Sequence, residues 1–328
     1  MPGALSSDPT SVMIGVTGAG IAATGDYNGD AHSDILWQNP NGAVSTWHPT
    51  GTGLNEGIAQ DTYDASVATS WHAIDSFDFN GDGRADILWR NNDGTIAVWE
   101  GIATGFNQSS YIETQPTSAV IVGAGDFDGD GKGDLLFRNA DGSIFEQRSY
   151  GTFIQNTYSH TSVGTAWQVE GVADFTGDGK ADILWRNTDG SLSTWDAPLS
   201  PAGGNGFQEN SWFHDPIDRS WHVVGLSDFN GDGRADILWR NDNGAVSVWT
   251  STGNGGFAEN QFNASATSDW SVAEVGDFNG DGLADLLWRN TAGQISIWHS
   301  TGSGWVQNTY LDSSVGTDWT IAAHQLPL

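Results

Sequence analysis

A nine-residue acidic segment recurs along the chain and has the composition of a metal-binding loop. In its fifth copy, residues 228–236, carboxylates occupy the first, fifth and ninth positions, an amide occupies the third, and glycines occupy the fourth and sixth. Three carboxylates so close together repel one another unless a cation lies between them. Because every side-chain donor is a hard oxygen atom, with no cysteine and no recurrent histidine, the pattern favours Ca²⁺ over zinc or copper.

The segment occurs six times, and its copies are called loops one to six: 26–34, 78–86, 126–134, 174–182, 228–236 and 277–285. By analogy with the helix-flanked calcium loop, the seventh residue is expected to contribute its backbone carbonyl. We predict one Ca²⁺ in each loop, and six such ions add +12 and change the formal charge of −30 to −18. The candidate ligands at positions one, three, five, seven and nine are Asp26, Asn28, Asp30, His32, Asp34, Asp78, Asn80, Asp82, Arg84, Asp86, Asp126, Asp128, Asp130, Lys132, Asp134, Asp174, Thr176, Asp178, Lys180, Asp182, Asp228, Asn230, Asp232, Arg234, Asp236, Asp277, Asn279, Asp281, Leu283 and Asp285.

Two loops depart from the pattern in ways that predict weaker calcium binding. Loop one has Ala31 where the others have glycine, and a positive backbone φ there strains any residue that carries a Cβ. Loop four has Thr176 at the third position, which is a poorer oxygen donor than Asn or Asp. We therefore predict that the loops at 26–34 and 174–182 empty first as calcium is withdrawn.

Each loop lies within a repeat of about 50 residues that has the pattern of four short strands. In the fifth repeat these are residues 221–227, 236–241, 245–250 and 257–262. An Asn-Gly pair at 243–244 predicts a tight hairpin between the second and third strands. The chain has no segment of ten or more residues with helical periodicity, so we predict an all-β fold.

Four antiparallel strands in each repeat are typical of a blade of a β-propeller, whereas solenoid repeats are usually shorter. We predict a single propeller over 1–328 with six four-stranded blades, at about 17–64, 69–115, 118–160, 166–214, 220–264 and 269–312. The remaining segments, 1–16 and 313–328, are expected to close the ring. A seventh blade built from both termini is the alternative.

The composition excludes several classes of protein. The 328 residues contain no cysteine, which excludes a disulfide scaffold, and the net charge of −30 would repel nucleic acid. No run of about 18 apolar residues occurs, so we predict no membrane insertion. The first residues lack the basic and apolar regions of a signal peptide. We expect a secreted or cell-surface protein whose export signal is absent from this chain.

The repeat resembles the FG-GAP/VCBS family, whose calcium-loop blades form propellers like that of the integrin α subunit. The stretch DFNGDGRADILWRN at 228–241 is similar to the bacterial form, and the resemblance covers about 17–312. It implies a propeller with Ca²⁺ bound between the first and second strands of each blade. It does not imply one function, because the family includes adhesion receptors, lectins with several sugar sites and parts of polysaccharide-degrading enzymes. The chain departs from integrins in having an acidic loop in all six repeats.

Aromatic residues recur at fixed positions of the blades, where they are suited to packing adjacent sheets together. The second-strand set is Trp37, Trp89, Trp185, Trp239 and Trp288, with Phe137 in blade three. The third-strand set, which we treat as candidate sugar platforms, is Trp47, Trp99, Trp195, Trp249 and Trp298, with Phe145 in blade three. The arginines that follow the second-strand aromatic residues are expected to pair with carboxylates, and they are Arg90, Arg138, Arg186, Arg240 and Arg289.

The fourth strand has a different pattern, an Asn or Asp two residues before an aromatic residue. Regular alternation would place both side chains on one face of the strand. A planar amide beside an exposed ring suits carbohydrate, because hydroxyl groups bond to the amide and the C–H face of the sugar stacks on the ring. An outer strand with ordinary alternation is the structural alternative. The further ligand candidates are Asn156, Tyr158, Asn210, Trp212, Asn260, Asn308 and Tyr310.

Three functions are compatible with the sequence. We favour a calcium-stabilised, multivalent, lectin-like propeller that binds glycans or cell-surface polysaccharide through several weak sites. A protein-binding adhesion scaffold is the first alternative. A catalytic or accessory domain of a polysaccharide-degrading enzyme is the second, because the irregular segment 197–219 carries His214 and Asp215, which are suited to acid–base chemistry. No nucleophile elbow, phosphate loop or zinc motif is present, which makes catalysis the less favoured hypothesis.

Overall fold

The computed structural model describes residues 25–51, 57–149, 154–160, 162–197, 206–312 and 315–322. Over these residues the chain forms 24 strands and no helix, and the strands make six four-stranded antiparallel sheets. Each sheet is one blade. The predicted all-β, six-bladed propeller is therefore confirmed, and a seventh blade is not formed by the described residues.

The blades follow one another along the chain, and blades two to six each have their strands in sequence order from the inside to the outside. Blades two and three contain β4 (Trp71–Phe77), β5 (Asp86–Asn91), β6 (Thr95–Ile102), β7 (Gly105–Thr114), β8 (Ala119–Gly125), β9 (Asp134–Asn139), β10 (Ile144–Ser149) and β11 (Ile154–Ser159). Blades four and five contain β12 (Trp167–Ala173), β13 (Asp182–Asn187), β14 (Leu192–Asp196), β15 (Gln208–His214), β16 (Trp221–Ser227), β17 (Asp236–Asn241), β18 (Ala245–Ser251) and β19 (Phe257–Ser265). Blade six contains β20 (Trp270–Gly276), β21 (Asp285–Asn290), β22 (Ile295–Ser300) and β23 (Trp305–Asp312).

Blade one is built from two distant parts of the chain. Its order is β24 (Thr320–Ile321), β1 (Ile35–Gln38), β2 (Ala43–Pro49) and β3 (Ile58–Ser66), so its innermost strand comes from the C-terminal region. Gly25 lies beside the start of β1, because its carbonyl accepts a hydrogen bond from the amide of Asp34, the residue directly before β1. The sequence predicted that blade one begins at about residue 17. Residues 1–24 lie outside the described part of the chain, so this start is not tested.

The hairpin between the second and third strands depends on glycine. Gly244 has φ +95°, and a Cβ at this residue would lie 2.3 Å from the carbonyl oxygen of Ala266. The Ala266 amide donates to the Gly244 carbonyl, so this turn also holds the chain that leaves the fourth strand. The Asn-Gly pair therefore sets the hairpin and anchors the connection to the next blade.

The core lies between neighbouring blades. The second-strand aromatic residues are almost completely buried, and each second-strand Trp packs against the third-strand Trp of its own blade, with ring centroids 5.2 Å apart for Trp239 and Trp249. Five arginines, one from each of blades two to six, reach across to the next blade. The sequence predicted that these arginines pair with carboxylates. Instead, Arg186 donates to the carbonyl oxygens of Trp221 and Asp218, and its guanidinium lies 5.5 Å from the ring of Trp239.

The same contacts correct the predicted partners of the other arginines. Backbone carbonyls where the chain enters the next blade also accept hydrogen bonds from Arg90, Arg138, Arg240 and Arg289. The guanidinium groups of Arg138, Arg240 and Arg289 also lie over the second-strand Trp ring of that next blade. Blade one has Gln38 in the place of arginine, and its Nε2 donates to the Trp71 carbonyl. These side chains join the blades through hydrogen bonds and cation–π contact. In the described part of the chain, no helix has the length and apolar character that crossing a membrane requires.

Candidate functional site

All six acidic loops adopt one conformation, in which the first carboxylate caps the turn. In loop five, Asp228 Oδ1 accepts hydrogen bonds from the amides of Gly231 (2.7 Å) and Asp232 (3.2 Å), and Oδ2 accepts one from Gly233 (2.7 Å). The carboxylates of Asp26, Asp78, Asp126, Asp174 and Asp277 accept the equivalent three bonds. Positive φ at the fourth and sixth residues turns these amides inward.

The ninth carboxylate is the buried end of each loop. Asp236 is inaccessible to solvent; its Oδ2 accepts from the Phe229 amide (3.1 Å), and its Oδ1 accepts from the Ser251 amide (2.9 Å). Burial, together with the charges of Asp228 and Asp232, raises the pKa of Asp236 to about 8. The pKa of Asp86 is also raised to about 8, mainly by burial. Such buried carboxylates are ionised at neutral pH only when a cation compensates them.

The remaining side chains of the loop point at the same place. The Asn230 Nδ2 lies 3.2 Å from Asp232 Oδ2, and the equivalent distance from Asn279 to Asp281 is also 3.2 Å. A half-turn of the amide would place its oxygen there instead. In loop three the carboxylate oxygens of Asp126, Asp128 and Asp130 all lie within 4.8 Å of one another. The donor set of the loops and the convergence seen in loop three fit a calcium ion, for which positions one, three, five and nine and the carbonyl of position seven are the candidate ligands.

The six loops are linked to one another in a closed ring. The eighth residue of each loop donates its amide to the carbonyl of the first residue of the preceding loop, as Ala235 does to Asp174 (2.8 Å). The bond from Ser33 to Asp277 (2.7 Å) closes the ring between loops one and six. The seventh side chain packs over the fourth-position glycine of the preceding loop, so Arg234 covers Gly177. Neighbouring loops therefore support one another directly.

Loop one differs from the others at two points. Ala31 has φ +75°, so the strain predicted from the sequence is present. Five of the ninth carboxylates accept a backbone amide from the third strand, but the corresponding residue in blade one is Pro49, which has none. Asp34 Oδ1 instead contacts His48 Nδ1 at 2.5 Å. The missing backbone amide could have been predicted from the sequence, because Pro49 stands 15 residues after Asp34, where the other five blades have a residue that carries an amide.

Replacing Ala31 by glycine is expected to stabilise the protein, because glycine adopts positive φ without steric cost. We expect a gain of about 1 kcal/mol in the free energy of unfolding, measured by urea titration at fixed calcium. Gly233→Ala is the matched control at the same position of loop five, where φ is +80° and no atom lies within 4 Å of a new Cβ. It should lose a similar amount. Equal stability of both variants and the parent would contradict this interpretation.

The third-strand tryptophans are buried, with exposed fractions of 5% to 7% for Trp47, Trp99, Trp195, Trp249 and Trp298. They are therefore packing residues with at most one exposed edge. The expectation that Phe145 replaces this tryptophan in blade three is wrong. Phe145 pairs with Phe137, whereas Gln147 occupies the tryptophan position and pairs with Leu135, as Trp249 pairs with Ile237. Because blade three has the polar residue Gln147 where the other blades have tryptophan, the sequence pattern pointed to Phe145 instead.

The fourth strand is not regular where the sequence predicted simple alternation. In blade five, Val248 pairs with Phe262 and Thr250 with Ala258, so the three residues 259–261 lie opposite Trp249 alone. A bulge of the same size faces Trp47, Trp99, Trp195 and Trp298. Asn260 in this bulge has φ +55°, a strained value for a residue other than glycine. The side chains of Asn156, Tyr158, Asn210, Asn308 and Tyr310 lie outside the described residues.

A pocket of about 240 Å³ opens between blades four and five. Its apolar wall contains Trp221, Trp239, Trp249 and Ile217, and its polar groups are His214, Asp218, Ser247, Glu259 and Asn260. Asn260 Oδ1 accepts a hydrogen bond from the Ser247 hydroxyl (3.1 Å), which leaves its Nδ2 as a donor. His214 Nε2 lies 3.1 Å from Glu259 Oε1 across the two blades. The structure thus brings together two sequence candidates, Trp249 and Asn260, while Trp212 lies beside His214 with ring centroids 5.5 Å apart.

Comparison with known families agrees with the geometry of the repeats. The profile of the FG-GAP-like repeat matches residues 26–89, 78–137, 126–185 and 228–288. The chain belongs to the FG-GAP-like repeat family. A propeller of these repeats is a scaffold for binding a protein or another ligand, and the family often binds calcium. No curated protein sequence matches the chain.

Several solved structures are similar in fold at low sequence identity. The C-terminal WD40 domain of Sif2 is 10% identical, with 89% of this chain and 86% of that chain covered and a TM-score of 0.45. BBS1N, in a complex with ARL6DN soaked with lead, is 12% identical, with coverages of 92% and 85% and a TM-score of 0.44. Raptor from Chaetomium thermophilum is 11% identical, with coverages of 94% and 27% and a TM-score of 0.46.

Proposed function

We propose that this FG-GAP propeller is stabilised by calcium and binds carbohydrate, with one sugar-binding site in the pocket between blades four and five. The pocket carries the proposal, because it combines a tryptophan-rich wall with an amide and carboxylates at its polar side. Its volume is below the roughly 300–1,000 Å³ of pockets for drug-sized ligands. A pocket of this size suits a single sugar unit.

The chemistry of the lining supports a sugar over an apolar ligand. The partly buried Trp221 and the exposed edge of Trp249 offer apolar contact to the C–H groups of a pyranose, and Asn260 and Glu259 offer a donor and an acceptor for its hydroxyl groups. The strained backbone of Asn260 also fits a binding residue, because unusual φ values concentrate at functional sites. A bulge faces the third-strand tryptophan in four other blades, which supports several related sites on one molecule. Several weak sites would give avidity for a polysaccharide.

The acidic loops support the calcium part of the proposal. Their donors are hard oxygen atoms, and a bound cation would compensate the charge of their buried carboxylates when these are ionised. Extracellular calcium modules have dissociation constants of about 10⁻⁴–10⁻³ M, which suits a secreted or cell-surface protein. Calcium here stabilises the scaffold that positions the pocket, and we assign it no direct contact with the sugar.

Replacing Asn260 by glycine tests the pocket without damaging the fold. Glycine tolerates φ +55°, and this relief of strain offsets the lost hydrogen bond from the Ser247 hydroxyl, so the fold should be kept while the amide is removed. We expect sugar affinity at this pocket to fall about tenfold, equivalent to about 1.4 kcal/mol, which is within the range for one hydrogen bond. The measurement is calorimetry with a sugar first identified on a glycan array in millimolar calcium.

Asn254→Ser is the control, because Asn254 is exposed in the turn before the same strand and does not line the pocket. It should bind the sugar as the parent does. The proposal fails if the array yields no sugar in the presence of calcium, or if both variants bind with parental affinity at a crystallographically located pocket.

A further inference from the structure

One third-strand position contacts the acidic loop in blades one, three and six, although it lies outside the loop sequence. This position comes 14 residues after the ninth carboxylate of the loop. In blade one it is His48, whose Nδ1 lies 2.5 Å from Asp34 Oδ1 and 2.7 Å from the Asn28 amide. In blade six it is His299, whose Nδ1 lies 3.3 Å from Asp285 Oδ2 and contacts the Asn279 amide. In these two blades the side chain at this position therefore reaches the third and ninth residues of its loop.

The third-strand residue differs between blades, and in blade three its charge is opposite to that of an added loop carboxylate. Loops one, two, five and six have Asn at the third position, and their third-strand residues are His48, Glu100, Thr250 and His299. Loop three has the extra carboxylate Asp128, and its third-strand residue is Arg148, with Nη1 3.5 Å from Asp128 Oδ2. Arg148 also pairs with Glu146 Oε1 at 2.5 Å, so this positive charge on the strand faces both the added loop carboxylate and Glu146.

Loop four has the opposite arrangement. Thr176 has no amide, and its hydroxyl donates to Asp174 Oδ1 (3.3 Å), so it does not extend toward the other carboxylates as Asn230 does in loop five. The third-strand residue here is Asp196, and the pairing of Trp195 with Ile183, like that of Trp249 with Ile237, puts Asp196 in the same register as its counterparts. Ser211 Oγ donates to Asp196 Oδ1 (2.5 Å) and orients the carboxylate.

We propose that Asp196 is a calcium ligand of loop four, where its carboxylate replaces the oxygen that Asn or Asp supplies at the third position of the other loops. The third-strand position places Asp196 where its counterparts contact the third and ninth loop residues in blades one and six. A fourth carboxylate gives loop four more negative charge than loops with three. This inference rests on calcium binding by the loops, and it opposes the sequence-based expectation that Thr176 makes loop four weak.

The test is the calcium occupancy of each loop in crystals equilibrated at a series of free calcium concentrations. Asp196→Asn should raise the calcium concentration for half-occupancy of loop four about tenfold or more, because even outer-shell substitutions change metal affinity about 10–100-fold. Asparagine still accepts the Ser211 hydroxyl bond, so the fold should be kept. Adding Thr176→Asn to this variant should restore much of the occupancy.

Glu100→Gln is the matched control, with the same change of charge at the same position of blade two. Glu100 accepts from the Asn107 side chain (2.9 Å), and loop two has its own amide, so its occupancy curve should move little. The inference is overturned if the other loops fill while loop four responds to Asp196→Asn no more than loop two responds to Glu100→Gln. If no loop fills in the parent protein, the calcium proposal itself fails.

Discussion

Chelating calcium is expected to lower the melting temperature by more than about 10 °C. A site saturated at 100 times its dissociation constant contributes about 2.7 kcal/mol to the free energy of unfolding. With an unfolding entropy of about 2.1 cal/mol/K per residue, the loss of one such site lowers the melting temperature of this 328-residue chain by about 4 °C. Six loops lose their ions together in EDTA. Differential scanning calorimetry in calcium and in EDTA measures the shift.

EDTA saturated with calcium is the control, because it contains the chelator without removing the ion from the protein. The melting temperature should then match that in calcium alone. Identical melting in calcium and in free EDTA would contradict a stabilising role for the loops.

The calcium-free protein should also respond to pH in a characteristic direction. The pKa values of Asp86 and Asp236 are raised to about 8 from the ordinary 3.8, mainly by burial. The folded chain therefore binds more protons than the unfolded chain between about pH 4 and 8, and the free energy of unfolding falls as pH rises through this range. In EDTA, melting at pH 8 should lie below melting at pH 6. Added calcium should reduce this difference.

Replacing Trp239 by alanine is expected to lower the free energy of unfolding by about 3–5 kcal/mol, the usual cost of truncating a buried aromatic residue. Trp239 is 1% exposed, packs against Trp249, and lies beneath the guanidinium of Arg186 from blade four. The substitution removes contacts within one blade and between two blades. Urea unfolding in saturating calcium measures the change.

Trp239→Phe is the control, because blade three carries Phe137 at this position and buries it completely. Phenylalanine also removes the indole Nε1 of Trp239, which is buried without a hydrogen-bond partner among the described residues. We expect a clearly smaller loss than for alanine. A loss below about 1 kcal/mol for alanine would show that this ring does not hold blades four and five together.

The loops and blades could be predicted because their signals are local and repeated. The positions of Asp228, Asp232 and Asp236 require a turn that gathers oxygen atoms, and the alternation after the loop requires strands. The six-bladed architecture follows from that repetition. The strain at Ala31 was also predictable, because one glycine is missing from an otherwise constant pattern.

The features that the sequence did not reveal depend on tertiary contacts. The arginine partners are carbonyl oxygens of the next blade, and no sequence pattern identifies a carbonyl as an acceptor. The bulge at 259–261 places three residues opposite one, which an assumption of regular alternation cannot represent. The pocket also needs His214 from blade four beside Asn260 from blade five, and their proximity depends on how the two sheets pack.

If the loops bind calcium as proposed, their closed ring would make its release a collective process. Each loop holds the one before it through a backbone hydrogen bond, and loop one is joined in this way to both loop two and loop six. If strained loop one loses its ion first, these two neighbours lose their support next. Release would then spread around the propeller from a single origin in both directions, and the molecule would sense calcium through a threshold instead of six independent equilibria.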